Sequence, residues 1–181
     1  MRKPVLQLNE RLPGILGLFE FRPETATPLQ NLAETLLRGP SPLSSAEREL
    51  IAAYTSRTNQ CVFCCESHAA ASRSHYGNNK KVVDEVLNNL DSASVTAKMK
   101  ALLKIAGKVA HGGLNVTPED VEQCKYHGAN EIELHDTVLI AAAFCMYNRY
   151  VDGLATVAPP SGDKAYEEVG DRLAQKGYLR A

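Results

Sequence analysis

The sequence predicts an all-α fold. Three observations carry that expectation: no stretch alternates apolar and polar residues as a half-buried strand does, apolar residues recur at three- and four-residue spacing from about residue 26 onward, and these stretches are bracketed by helix start and stop residues. With 181 residues, 44% hydrophobic and 23% charged, the chain reads as one globular domain over 1–181, its first 25 residues forming an N-terminal arm.

The first helix is expected to open at Thr27-Pro28, because proline suits the first helical position, and to carry Leu29, Leu32, Ala33, Leu36 and Leu37 as one stripe before stopping at Gly39. After the breaker Gly39-Pro40-Ser41-Pro42, Ser44 and Glu47 have capping-box spacing, which opens a second helix over about 45–57 with Glu49 near its start. Thr58-Asn59-Gln60 is a polar turn. A third helix over about 61–76 is stopped by Gly77-Asn78-Asn79, so 45–77 forms a helical hairpin.

Two more helices are expected at about 80–89 and 95–110, the latter carrying Met99, Leu102, Leu103, Ala106 and Val109. Thr117-Pro118-Glu119 starts a short helix. Gly128-Ala129-Asn130 separates it from a long one over about 131–157, whose Val138 to Phe144 segment is apolar nearly all round and therefore expected to be central. A last helix, about 164–175, has a charged composition suited to the surface or to an oligomer contact.

Composition excludes several function classes. Twenty Lys+Arg balance 21 Asp+Glu, so the cationic excess that phosphate backbones and anionic lipids require is missing, and neither nucleic acid nor membrane is an expected partner. The longest apolar run, Val138 to Tyr147, is ten residues, whereas a membrane-spanning helix needs about 20. The start Met1-Arg2-Lys3-Pro4 is basic, but Gln7, Asn9, Glu10 and Arg11 interrupt the apolar stretch a secretory signal needs, so a cytoplasmic setting is expected.

The five cysteines are Cys61, Cys64, Cys65, Cys124 and Cys145. An odd, clustered set is a poor disulfide framework, and in a reducing compartment it points to redox, catalytic or metal chemistry. Cys61 and Cys64 stand as Cys-x-x-Cys at the start of the third helix, and His68 lies four residues after Cys64, on the same helical face. A nearby imidazole and the free N–H groups of a helix start both stabilise a thiolate, so Cys64 is expected to be mostly ionised near neutral pH. Cys61, nearer the helix end, is placed to condense with an oxidised Cys64. Glu49, twelve positions before Cys61 and one helix back in the hairpin, could bring its carboxylate beside His68 and orient the imidazole.

The other candidates read as packing or surface. Cys65 is expected in the core, and Cys124 and Cys145 fall on apolar stripes. His75, His111, His127 and His135 read as surface or helix-end residues, and Asn148 and Arg149 as a buried polar network or an oligomer contact. A zinc site using Cys61, Cys64 or Cys65 with His68 is an alternative, though no second Cys/His pair has suitable spacing.

The four residues Glu49-x11-Cys61-x2-Cys64-x3-His68 resemble the signature of the alkylhydroperoxidase D and carboxymuconolactone decarboxylase superfamily. In a chain of this composition the pattern arises by chance with a probability of about 3 in 10,000. Ser44 to Ile51 is similar to the family's approach to its glutamate, Cys61 to His68 to its redox helix, and Phe144 to Arg149 to the long helix of the peroxidase-related branch. The resemblance implies a helical, homo-oligomeric protein of antioxidant defence that reduces organic hydroperoxides or a partner peroxiredoxin. In the family mechanism Glu49, through His68, removes the Cys64 proton; Cys64 becomes a sulfenic acid and Cys61 resolves it to a disulfide. An external lipoyl or thioredoxin-like dithiol then reopens that bond, and no bound cofactor or metal is expected. No Gly-rich dinucleotide fingerprint accompanies the motif. Phe63 stands where alkylhydroperoxidase D proper has a second histidine. Carboxymuconolactone decarboxylases lack the cysteine pair, which disfavours lactone decarboxylation. A non-catalytic redox sensor or interaction protein of the same fold is the alternative reading.

Overall fold

The computed structural model describes residues 3–179, so Met1 and Arg2 of the basic start lie outside the described residues. Its regular elements are helices α1 (Ile15–Phe21), α2 (Pro23–Arg38), α3 (Ser45–Thr58), α4 (Val62–Tyr76), α5 (Lys81–Asn88), α6 (Ala97–His111), α7 (Pro118–Tyr126), α8 (Glu131–Gly153) and α9 (Ala165–Lys176). Short 3₁₀ turns follow α4 and α6, and no strand occurs among the described residues. The all-α expectation holds.

Local chemistry explains most of the boundaries. Capping boxes open α3 at Ser44, α7 at Thr117 and α8 at Asn130, each with the cap side chain accepting from the third helical N–H. The start of α2 differs from expectation: Pro23, not Pro28, takes the first helical position, and Pro28 sits inside the helix. Pro28 is the sixth helical residue, past the first turn, so the helix forgoes the bond its N–H would have made to the Glu24 carbonyl. A short helix, α1, also occupies part of the expected arm, and α8 ends at Gly153 rather than near Val157.

Helix α3 is the centre of the molecule, packed against α4, α6 and α8. Its buried side chains include Leu50, Ile51, Ala52 and Ala53, which join Leu102, Leu103, Ile140 and Phe144 in the main core. A smaller cluster holds Cys61, Phe63, Cys64, Ala70, Val151 and Tyr166. The expectation that Val138 to Phe144 is enclosed all round is corrected: Ile140, Ala141, Ala143 and Phe144 are buried, but Val138 and Leu139 are 39% and 38% exposed. Only one side of α8 meets α3 and α6.

Helix α9, expected at the surface or in an oligomer contact, is exposed along one side and packs along α4 through Tyr166, Gly170 and Leu173. The approach is close because Gly170 has no side chain; a Cβ there would stand 2.5 Å from the backbone carbon of Ala70. Arg38 of α2 ties down the far end of α9 by donating to the carbonyls of Leu173 and Ala174 at 3.2 and 2.7 Å. The chain then turns at Gly177, with φ of +75° and a Glu34 carboxylate oxygen against the place a Cβ would occupy. Tyr178 is thereby folded back, its N–H donating to Glu34 at 2.8 Å and its carbonyl accepting from Gln30 at 3.1 Å.

Candidate active site

The α3–α4 turn sets the site. Gln60 adopts a left-handed φ of 62°, and the Cys61 N–H bonds back to the Ser56 carbonyl at 3.0 Å, so the two helices pack as a tight hairpin. This geometry brings together two residues 19 positions apart: Glu49 Oε2 lies 2.8 Å from His68 Nδ1. Glu49 is wholly buried. An ionised carboxylate only accepts, so His68 Nδ1 carries the hydrogen and Nε2 keeps the free lone pair. The imidazole also meets the edge of Phe144, with ring centres 4.5 Å apart.

A third partner comes from the far end of the chain. Tyr178 donates its phenol proton to Glu49 Oε1 and lies 3.3 Å from His68 Nδ1. Burial, reinforced by the Glu49 charge, pushes the Tyr178 phenol well above its ordinary value, so it stays a donor. No signal in the sequence pointed to Tyr178, because its place depends on the turn at Gly177 and on α2.

Cys64 and His68 line one cavity of about 70 Å³, together with Ser67, Phe63, Phe144 and Tyr178. No direct hydrogen bond joins Cys64 to His68 among the described residues, but the cavity has room for a bridging water. Both site cysteines are buried and free, and Cys61 is the N-cap of α4 rather than an exposed helix-end residue. Cys61 borders a second, polar recess with Arg57, Cys65, Glu66 and Arg73.

The expectation of an ionised Cys64 is corrected. The hydrogen bond between Cys64 and Cys61, followed by burial, holds the Cys64 thiol well above its ordinary range. A hydrogen bond from Asn148 acts in the opposite direction. Asn148 is itself held by Asn59, which donates to its Oδ1 at 2.8 Å, and by its own donation to Ser56 Oγ at 3.0 Å. Of the two residues read as a buried polar network or an oligomer contact, Asn148 is in such a network, which reaches Cys64, while Arg149 is exposed and donates to the Cys145 carbonyl at 2.9 Å. The helix start and the imidazole, both of which favour a thiolate, are outweighed by the contact with Cys61 and by burial.

Cys65 and Cys124 are buried, as expected, and burial pushes each thiol up to about 11. Cys145 is half-buried and accepts from Asn59 Nδ2 at 3.5 Å. His75 is the helix-end histidine expected, in the last turn of α4; it is half-buried, its Nε2 is buried without a partner, and burial lowers its pKa. His135 pairs with its neighbour Asp136 at 3.0 Å on the surface. No three His, Cys, Asp or Glu side chains among the described residues converge to hold a metal, and no helix is long and apolar enough to cross a membrane.

Raised thiol values make a stability statement. At pH below the ordinary thiol range, both folded and unfolded chains keep these protons, and the folded state loses nothing. As pH rises past about 8.5, the unfolded chain ionises Cys64 and Cys65 while the folded chain cannot, so stability falls by about 1.4 kcal/mol per pH unit for each. For Cys65 the fall ends near its folded value of about 11. Urea melts of the reduced protein at pH 7, 9 and 10 should show the midpoint dropping between 9 and 10, and Cys65→Ala should flatten that slope. An unchanged slope in the variant would contradict the buried, protonated thiol.

The family model for the carboxymuconolactone decarboxylase family matches residues 23–108. Among solved structures, the fold is similar to an uncharacterized peroxidase-related protein from Silicibacter sp., with 23% identity, a TM-score of 0.77 and coverage of 92% of this chain and 95% of that one. It is also similar to an alkylhydroperoxidase D core protein, described as peroxidase-related and uncharacterized, from Ralstonia eutropha, at 26% identity and a TM-score of 0.76, covering 88% and 81%. A protein of unknown function from Agrobacterium tumefaciens, described in terms of alkylhydroperoxidase D antioxidant defence, aligns at 21% identity with a TM-score of 0.67 over 82% of this chain and 99% of that one. No curated protein matches the sequence. Fold and motif agree with that match: over residues 23–108 the chain is similar to the carboxymuconolactone decarboxylase family.

Proposed function

We propose that the protein is a dithiol peroxidase of antioxidant defence, reducing organic hydroperoxides through a Cys61–Cys64 dithiol/disulfide cycle. The observation that carries this reading is the buried Glu49 carboxylate 2.8 Å from His68 Nδ1, on the wall of the cavity that Cys64 also lines. Glu49 fixes the imidazole so that Nε2 takes the Cys64 proton, directly or across a water, and later returns it. The Cys64 thiolate attacks the outer peroxide oxygen; the S–O bond forms as the O–O bond breaks, leaving a sulfenic acid and an alcohol. Cys61 condenses with that sulfenic acid and releases water.

An external lipoyl or thioredoxin-like dithiol closes the cycle, and the polar recess beside Cys61 is the side from which it would attack. A peroxiredoxin disulfide is an alternative oxidant for the same dithiol. The cytoplasm, which keeps thiols reduced, is the setting that suits the pair. Assembly into a homo-oligomer would cover the exposed apolar residues Ile132, Val138, Leu139 and Met146 of α8.

The second reading, a redox sensor, draws support from the burial of both thiols and the raised Cys64 value, which slow reaction at rest. Turnover separates the two. With cumene hydroperoxide as oxidant and dihydrolipoamide as reductant, the enzyme reading expects many equivalents of peroxide consumed per chain, with Cys61–Cys64 the bond found by peptide mapping. Consumption that halts at one equivalent would favour the sensor, and no oxidation at all would sink both.

A further inference from the structure

Five serine and threonine side chains are buried among the described residues: Thr55, Ser56, Ser67, Ser72 and Thr137. Four of them donate to a backbone carbonyl, Thr55 to Ile51, Ser56 to Ala52, Ser72 to Ala46 and Thr137 to Glu133, at 2.7 to 2.9 Å. Ser67 does not. Its Oγ has no hydrogen-bond partner, although the residue is only 3% exposed and lies mid-helix, where the carbonyl four residues back is the usual acceptor. A buried, unpaired hydroxyl is costly, and one kept on the wall of a site calls for a catalytic or ligand-binding role.

The position identifies the ligand's chemistry. Ser67 follows Cys64 by three residues, on the same face of α4, and precedes His68; all three line the cavity whose other walls include Ile15, Phe63 and Phe144. Such a cavity suits a molecule with an apolar body and an oxygen-bearing end directed at Cys64.

We propose that Ser67 is a catalytic hydrogen-bond donor, binding the inner oxygen of a hydroperoxide and stabilising the alkoxide that departs from it; this rests on the peroxidase reading above. When Cys64 sulfur attacks the outer oxygen, the O–O electron pair moves onto the inner oxygen. His68 delivers to that oxygen the proton it took from Cys64, so the alcohol leaves neutral. Ser67 keeps its own proton and donates a hydrogen bond while the charge develops, and this interaction is stronger in the transition state than before it.

The test is the single-turnover oxidation rate of reduced Ser67→Ala protein with two oxidants, tert-butyl hydroperoxide and peracetic acid. The first expels a basic alkoxide and needs the donor; the second expels a carboxylate, which needs it little. The variant should oxidise about 10- to 100-fold more slowly with tert-butyl hydroperoxide and within about threefold of wild type with peracetic acid, the loss being that of one hydrogen bond to developing charge. Alkylation of Cys64 by iodoacetamide should keep its wild-type rate, and thermal stability should be unchanged or higher, since an unpaired buried hydroxyl has been removed. Equal rates of variant and wild type with tert-butyl hydroperoxide, or equal slowing with both oxidants, would overturn the proposal while leaving the peroxidase reading intact. A wild-type protein inert to both oxidants would overturn the peroxidase reading and this assignment with it.

Discussion

A Cys64→Ser protein is expected to consume no hydroperoxide above the uncatalysed rate, a loss on the order of a thousandfold or more, because the serine hydroxyl is not ionised at any pH the fold survives. Cys61→Ser should behave differently. Its Cys64 still becomes a sulfenic acid, trapped by dimedone at one equivalent per chain, but no disulfide forms and turnover stops there. The change at Cys64 is nearly isosteric within the cluster of Phe63, Val151 and Tyr166, so the melting temperature should move by only a few degrees. The raised Cys64 value adds a pH dependence. The thiolate fraction, and with it the wild-type oxidation rate, should increase from pH 7 towards 9, while a chain whose Cys64 was already ionised would show a flat profile. Retained turnover in Cys64→Ser would move the nucleophile elsewhere, and Cys65, which borders the other recess, would be the first residue to examine.

What the sequence disclosed, and what it hid, divides along the range of the interactions. The α3–α4 hairpin was legible because each of its determinants is local: the Ser44–Glu47 capping box, the Thr58-Asn59-Gln60 turn and the i, i+4 relation of Cys64 to His68. Glu49 could be placed beside His68 because only one turn separates their helices. Tyr178 could not, since it reaches Glu49 only through a chain of long-range contacts: Arg38 on the last carbonyls of α9, Gly170 against α4 and the left-handed turn at Gly177. Ser67 was invisible for another reason. A serine in a helix is ordinary, and only the missing acceptor marks it. The ionisation of Cys64 was misjudged because helix-start and imidazole effects can be read from spacing, whereas the burial of two thiols in contact cannot. The exposed flank of α8 follows the same logic, since an apolar sequence does not say how many of its faces this chain itself can cover.

Glu49→Gln should lower the rate of Cys64 oxidation by about 10²- to 10⁴-fold while leaving the fold in place. The reason lies in tautomers. In the wild type, the carboxylate accepts from both His68 Nδ1 and the Tyr178 phenol, leaving Nε2 as the base. Glutamine can satisfy Tyr178 with its carbonyl, but it then presents an NH₂ group to Nδ1, which must become the acceptor. The ring hydrogen moves to Nε2, and the imidazole can no longer take the Cys64 proton. Because every buried polar group keeps a partner, stability should fall little. Glu49→Ala makes the contrast: it removes the acceptor that both His68 Nδ1 and the Tyr178 hydroxyl use and leaves them only their own 3.3 Å contact, at about 1–3 kcal/mol for the pair. Urea melts should therefore separate the two variants even where both are slow. The decisive readout is the pH profile of Cys64 alkylation, in which both variants should lose rate near neutral pH relative to wild type and recover it as hydroxide replaces the lost base. If Glu49→Gln alkylates and oxidises at wild-type rates across that range, the Glu49–His68 pair is a structural hydrogen bond, and Cys64 loses its proton by another route.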